Sequence, residues 1–211
     1  MLFNVVNNSF LSMESKKLTN MLSIISDNLS QNQIPFCLIG AMALGIYGLP
    51  RYTSDIDLLT TDNCWPEIAS IMERLGYECY QKTDTFAQFD SELGIYGKVD
   101  FMFVSTQDGR DMIKRSILLQ DELFGKIQVI QPTDYIILKL MAISNNPDRS
   151  MRDESDLLGV FDLLKNNLLS KYFDILDMDR IIFFADRFGQ RKRIEKYLKD
   201  TDSTTERQHE L

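Results

Sequence analysis

Three aspartates and one glycine carry the chemical potential of this chain. Asp55-Ile56-Asp57 alternates acid, apolar, acid, and on an extended strand residues two apart project from the same face. Two carboxylates held that close repel, and each makes the other easier to protonate. A shared divalent cation removes the conflict. Mg²⁺ suits such a pair, because it prefers a few carboxylate oxygens, waters and phosphate oxygens over an all-protein cage. Asp100, inside the apolar run Lys98-Val99-Asp100-Phe101-Met102-Phe103-Val104, offers a third carboxylate. Three such groups around two ions about 3.5–4 Å apart would clamp an in-line displacement at phosphorus. Gly40 supplies the other half of that chemistry. It lies between the apolar run Phe36-Cys37-Leu38-Ile39 and the helix start Ala41-Met42-Ala43-Leu44. A glycine there lets a triphosphate approach the backbone, with the N–H groups from Ala41 onward pointing at the anion. Arg51 and Thr53, just ahead of the acidic pair, are candidate phosphate contacts.

These residues need a scaffold, and the periodicity of the chain describes one. Apolar positions Leu11, Leu18, Leu22, Ile25 and Leu29 predict an opening helix over 9–32. Short strands are expected at 36–39 and 55–59, and a helix from 65 to 76 with Pro66 in its first turn and Gly76 past its end. Further strands are expected at 77–81, 86–90, 98–104 and 126–130, with a helix near 108–119 between the last two. From Pro132 the pattern turns helical, at about 133–145, 152–166, 170–186 and 190–199. The fold class is therefore α+β. A mixed sheet occupies residues 1–131, a helical subdomain 132–200, and a polar, flexible tail 201–211.

Bulk composition narrows the chemistry. The hydrophobic fraction of 44% and charged fraction of 26% are those of an ordinary soluble globular protein. No apolar run approaches the roughly 20 residues needed to cross a bilayer, and polar residues throughout the first 25 argue against a secretory signal. The cysteines Cys37, Cys64 and Cys79 show no CxxC spacing and read as free thiols in a reducing cytoplasm. His209 is the only histidine, so chemistry rests on carboxylates, lysine and arginine. The net charge of −8 opposes a surface that coats nucleic acid. The basic run Arg187, Arg191, Lys192, Arg193, Lys196 and Lys199 reads first as a solvated helix face. Phe183, Phe184 and Phe188 read as core of the helical region, and Trp65 as packing. Lys139, in an otherwise apolar helix, reads equally as a lysine with a buried stem or as a phosphate contact.

Ile39-Gly40-Ala41, a thirteen-residue spacer and Asp55-Ile56-Asp57 resemble the signature of the DNA polymerase β-like nucleotidyltransferase superfamily. The string Gly40-Ala-Met-Ala-Leu through Gly48-Leu-Pro-Arg51-Tyr-Thr53-Ser-Asp55-Ile-Asp57 is most similar to its bacterial AbiEii-type toxins and small antibiotic nucleotidyltransferases. The resemblance continues in Leu138-Lys139-Leu140-Met141-Ala142 and in Arg152-Asp153-Glu154-Ser155-Asp156-Leu157. It implies that Asp55, Asp57 and Asp100 are catalytic and bind two Mg²⁺ ions. It implies that Gly40, Ala41, Arg51, Thr53, Lys139, Asp153 and Asp156 serve the nucleotide. The implied reaction moves a nucleoside monophosphate from an NTP to an acceptor and releases pyrophosphate. The acceptor would be tRNA or protein for a toxin with a cognate antitoxin, or a small cationic antibiotic. Ala41 stands where that family has Gly or Ser, which motivates a further reading as an inactive nucleotide-binding partner protein. No membrane association is expected, and the location is cytoplasmic.

Overall fold

A computed structural model describes residues 13–206 except 92, 93, 95, 122–124, 148, 149, 170, 171, 174 and 175. Two compact units emerge. One gathers the chain up to Gly40 with Tyr52–Val129; the other gathers Ala41–Arg51 with everything from Ile130 onward. Residues 41–51 thus group with the helical region, although they precede Pro132 in sequence.

The first unit is built on a seven-stranded sheet of order β3-β4-β5-β2-β1-β7-β6. Its strands are β1 (Phe36–Leu38), β2 (Asp55–Thr61), β3 (Tyr77–Lys82), β4 (Phe86–Ser91), β5 (Lys98–Val104), β6 (Ile117–Asp121) and β7 (Gly125–Val129). The pairs β2/β5 and β1/β7 are parallel and the others antiparallel, which makes the sheet mixed as expected. Alternation decides what each face meets. Ile56, Leu58, Val99 and Phe101 are wholly buried, while the aspartates between them stay half-buried. Helices α1 (Met13–Gln31) and α3 (Trp65–Arg74) belong to this unit. In α1, Leu18, Leu22, Ile25 and Leu29 are buried at helical spacing, each contributing roughly 1.5–3 kcal/mol. In α3, Ile68, Ile71 and Met72 do the same beside Pro66 in its first turn.

Helix α4 (Gln107–Arg115) corrects one expectation. The helix foreseen to 119 stops at Arg115, and Ile117–Asp121 forms β6 against β7, Ile117 opposite Val129. Ser116 makes the break: its ψ of 150° turns the chain extended, and its hydroxyl donates to the Ile113 carbonyl at 2.5 Å.

The second unit contains the rest of α2 (Gly40–Tyr47), then α5 (Pro132–Asn145), α6 (Ser150–Lys165), α7 (Met178–Arg187) and α8 (Arg191–Glu206). Helix α5 is apolar on most sides and packs against α6 and α7, and α8 packs against the same two. The helix expected from 170 begins only at Met178, because Asp177 caps it by accepting from the Arg180 N–H at 3.0 Å. The Asp177 N–H in turn donates to Thr133 Oγ1 at 3.0 Å, fixing the start of the helix. Phe184 is buried as expected, but Phe183 is 61% exposed and is not core. Helix α8 runs to Glu206, past the expected end at 199; the remaining tail residues, His209 among them, lie outside the described residues. Among the described residues, no helix is long and apolar enough to cross a membrane.

Candidate active site

Strand register builds the acidic site. In the parallel pair β2/β5, Asp57 stands opposite Asp100 and Asp55 opposite Lys98. Across β4, Gln88 stands opposite Asp100 and Asp90 opposite Lys98; across β3, Glu78 pairs with Asp90. Residues paired across a ladder share a face. One row of that face therefore reads Glu78, Asp90, Lys98, Asp55, and the next reads Gln88, Asp100, Asp57. All three aspartates expected to do chemistry lie on it. Neighbouring strands are about 4.8 Å apart, so the Asp57 and Asp100 carboxylates are within reach of one cation.

Asp57 is held by the glycine that the spacing singled out. Gly40 adopts φ +66°, and a β-carbon there would lie 2.6 Å from Asp57 Cγ and 2.8 Å from its Cβ. Glycine is needed twice, for the left-handed backbone and for the space that Asp57 fills. The Ile39 N–H donates to the Asp57 carbonyl at 2.9 Å, extending the β1/β2 pairing to the residue before Gly40. Thr53 meets backbone: its hydroxyl accepts from the Asp55 N–H at 3.3 Å. Ser54 Oγ donates to Asp55 Oδ1 at 2.6 Å, and Gln88 Nε2 donates to Asp100 Oδ2 at 2.9 Å. Tyr80, under the Lys98 ammonium at 5.3 Å, has its pKa raised by burial first and then by the Asp100, Asp90 and Asp55 charges.

Asp55 and Asp100 are each steadied by a polar neighbour. Among the described residues, no three His, Cys, Asp or Glu side chains converge as they would around a metal ion. Asp55, Asp57 and Asp100 share a face but need side-chain rotation to meet at one point. The donor set nonetheless fits Mg²⁺, being all carboxylate oxygen, and Gly40, lacking a β-carbon, leaves the Asp57 carboxylate the space it occupies.

In the second unit, four of the expected nucleotide residues form one ion-pair network. Asp156, 4% exposed, takes Arg51 Nε at 3.1 Å and Lys139 Nζ at 2.7 Å. Lys139 also reaches Asp153 at 2.7 Å, and the Tyr135 hydroxyl donates to Asp156 at 3.3 Å. Two cations and two anions cancel, and the buried carboxylate is satisfied on both oxygens. Burial and the Asp156 charge push the Tyr135 phenol far above its usual range. Ala41 is buried in this unit at 3% exposure. Gln88 and Ser54 went unnoticed in the sequence, and so did the pairing of Arg51 with Asp156. Polar residues carry no local signal of a partner that register or tertiary packing supplies; only the fixed two-residue alternation of β4 hints that Gln88 shares a face with Asp90.

Residues 24–207 match the family described as nucleotidyl transferase AbiEii toxin, type IV TA system. Among solved structures, the chain is similar to the antibiotic-resistance factor ANT(2'')-Ia in solution, at 13% identity, TM-score 0.60, and coverage of 89% of this chain and 99% of that one. A crystal structure of ANT(2'')-Ia in complex with adenylyl-2''-tobramycin matches at 12% identity, TM-score 0.57, covering 82% and 98%. An antigenic nucleotidyltransferase-like protein from Paracoccidioides brasiliensis matches at 15% identity, TM-score 0.53, covering 88% and 93%. At these identities the likeness is one of fold. No curated protein matches.

Proposed function

This chain belongs to the AbiEii family of nucleotidyl transferase toxins, and from that premise we propose that it uses Asp55, Asp57 and Asp100, with Mg²⁺, to transfer a nucleoside monophosphate from an NTP to tRNA or a protein in the cytoplasm. Nucleotidyl transfer follows from the family; the metal, the residues and the acceptor are our reading. The observation that carries it is the register of Asp57 with Asp100 on adjacent parallel strands, with Asp57 seated against Gly40.

Asp55, Asp57 and Asp100 would hold the metal, which when bound offsets phosphate charge and polarises the phosphoryl oxygens. Asp100 orients the acceptor hydroxyl and accepts its proton. The acceptor oxygen forms its bond to the α-phosphorus as the bond to the β-phosphate oxygen breaks, and pyrophosphate leaves with the electron pair. Positioning and electrostatics supply most of the rate. Thr53 and Gly40 in the first unit are proposed nucleotide contacts, as are Ala41, Arg51, Lys139, Asp153 and Asp156 in the second. A phosphate at Lys139 must compete with the two carboxylates that already engage it. A cognate antitoxin is the partner that a toxin of this family implies.

A second reading concerns the acceptor alone. Glu78, Asp90, Asp55, Asp57 and Asp100 share one face, a field that attracts polycations and repels RNA phosphates. That favours a small cationic acceptor, and the fold is shared with ANT(2'')-Ia. One experiment separates the two. Purified protein is incubated with Mg²⁺ and each α-³²P-labelled NTP against total RNA, cell protein and an aminoglycoside and lincosamide panel. Label on tRNA or protein supports the toxin reading, and label on a drug supports the other. No label on any acceptor, with no NTP binding, would refute both and favour the degenerate form that Ala41 suggests.

A further inference from the structure

The three side chains expected to do chemistry on the sheet are acids, yet a contact to Asp100 from the neighbouring strand comes from a neutral amide. Gln88 stands opposite Asp100 in the β4/β5 ladder, and its Nε2 donates to Asp100 Oδ2 at 2.9 Å. Gln88 and Asp100 are both part-buried. The ladder fixes the distance between their backbones, so the amide has little freedom except to meet the carboxylate. A donor to one carboxylate oxygen sets the plane of the group and leaves the other oxygen a defined direction. Partners of this kind orient metal-binding carboxylates elsewhere, and losing one typically weakens metal affinity or activity about 10–100-fold.

We propose that Gln88 is a positioning residue, holding the Asp100 carboxylate in the orientation in which it shares a cation with Asp57. This inference rests on the proposed function, since it presumes that Asp100 belongs to the site. Gln88 itself touches neither substrate nor ion. Its neutrality matters. An acid at 88 would repel Asp100, and a lysine would compete with the cation, whereas a carboxamide orients the group without altering the charge of the face.

Two substitutions separate positioning from simple packing. Gln88→Met keeps the volume and removes the donor; Gln88→His changes the shape but places a ring N–H at about the reach of the lost amide. Mn²⁺ binding is followed by the electron paramagnetic resonance of the free ion, with no nucleotide present. Alongside it are measured the Mg²⁺ dependence of nucleotidyl transfer and the thermal melt. We expect Gln88→Met to weaken Mn²⁺ binding about tenfold or more and to raise the Mg²⁺ needed for half-maximal rate in parallel. Gln88→His is expected to stay within about threefold of the unaltered protein. A structural role predicts the opposite order, with Met tolerated and His harmful. Mn²⁺ affinity unchanged in Gln88→Met would overturn the proposal, as would loss in both variants in proportion to a lowered melting temperature. Asp100→Asn is the separate control. If it binds Mn²⁺ as the unaltered chain does, the proposed function itself fails at Asp100. If it loses Mn²⁺ while Gln88→Met does not, only the role of Gln88 falls.

Discussion

Replacing Gly40 with alanine asks the most of the structure. The backbone at Gly40 has φ +66°, and holding an L-residue there costs about 1–2 kcal/mol. The new methyl would overlap the Asp57 side chain, whose Cγ lies 2.6 Å from its position; relieving such overpacking costs about 1–3 kcal/mol more. Together these give about 2–5 kcal/mol, or about 4–20 °C in melting temperature at 2–4 °C per kcal/mol for a chain of this size. Gly76 isolates the backbone contribution. Its φ is +80°, and nothing lies within 4 Å of a β-carbon built there, so Gly76→Ala should lose only about 1–2 kcal/mol. The larger difference is expected in chemistry. Displacing Asp57 by even an ångström should reduce nucleotidyl transfer about 100-fold, while Gly76→Ala should transfer at the normal rate. The assay pairs thermal melts of both variants with initial rates at saturating NTP and Mg²⁺. Equal melting shifts together with undiminished transfer by Gly40→Ala would refute the claim that Gly40 positions Asp57.

The remaining expectations concern charge. Asp57→Ala, or removal of divalent ions with a chelator, should abolish labelled-nucleotide incorporation while the circular dichroism spectrum stays that of the native chain. Asp156→Ala should destabilise by about 3 kcal/mol in urea unfolding, because Asp156 is 4% exposed and its loss removes a carboxylate shared by Arg51 and Lys139, leaving Asp153 as the remaining anion of the network. Adding Lys139→Met should recover part of that loss. The tyrosines predict alkaline behaviour. Burial, then the hydrogen bond to Glu154, pushes Tyr197 up to about 12, and burial raises Tyr77 and Tyr135 further still. Unfolded tyrosines ionise near pH 10, so the unfolded chain loses these protons first. Their contribution to stability is therefore complete below about pH 10 and is lost as pH rises through the folded values. Tyrosinate absorbance should fall short of all eight tyrosines at pH 11 and reach completion only with unfolding.

Some of this could be read from residue order and some could not. The alternation around Asp55, Asp57 and Asp100 places each on the polar face of its strand, because a strand between a core and a polar face has only two sides. Gly40 was legible from its place between an apolar strand and a helix start. Strand β6 was not, since Ile117-Leu118-Leu119 continues the helical spacing of Met112 and Ile113, and only the pairing with β7 decides against a helix. The start of α7 turned on Asp177, a capping residue whose signal was outweighed by the apolar residues before it. The network around Asp156 was out of reach for a different reason. Arg51 and Asp156 are 105 positions apart, and long-range ion pairs leave no periodic trace. Lys139 illustrates the ambiguity best: one ammonium in an apolar helix is compatible with a phosphate or with two carboxylates, and the fold supplies the carboxylates.

The chain has a single tryptophan, and Trp65 packs on Phe89 and Phe103 at ring-centroid distances of 5.9 and 6.0 Å, with the Lys82 ammonium 4.9 Å above it. Every one of those residues belongs to the first unit. Indole emission thus reports on packing against the sheet, whereas far-ultraviolet dichroism sums the helices of both units. Heating the protein under both probes at once would tell whether sheet and helices melt as one cooperative body or in two separate transitions.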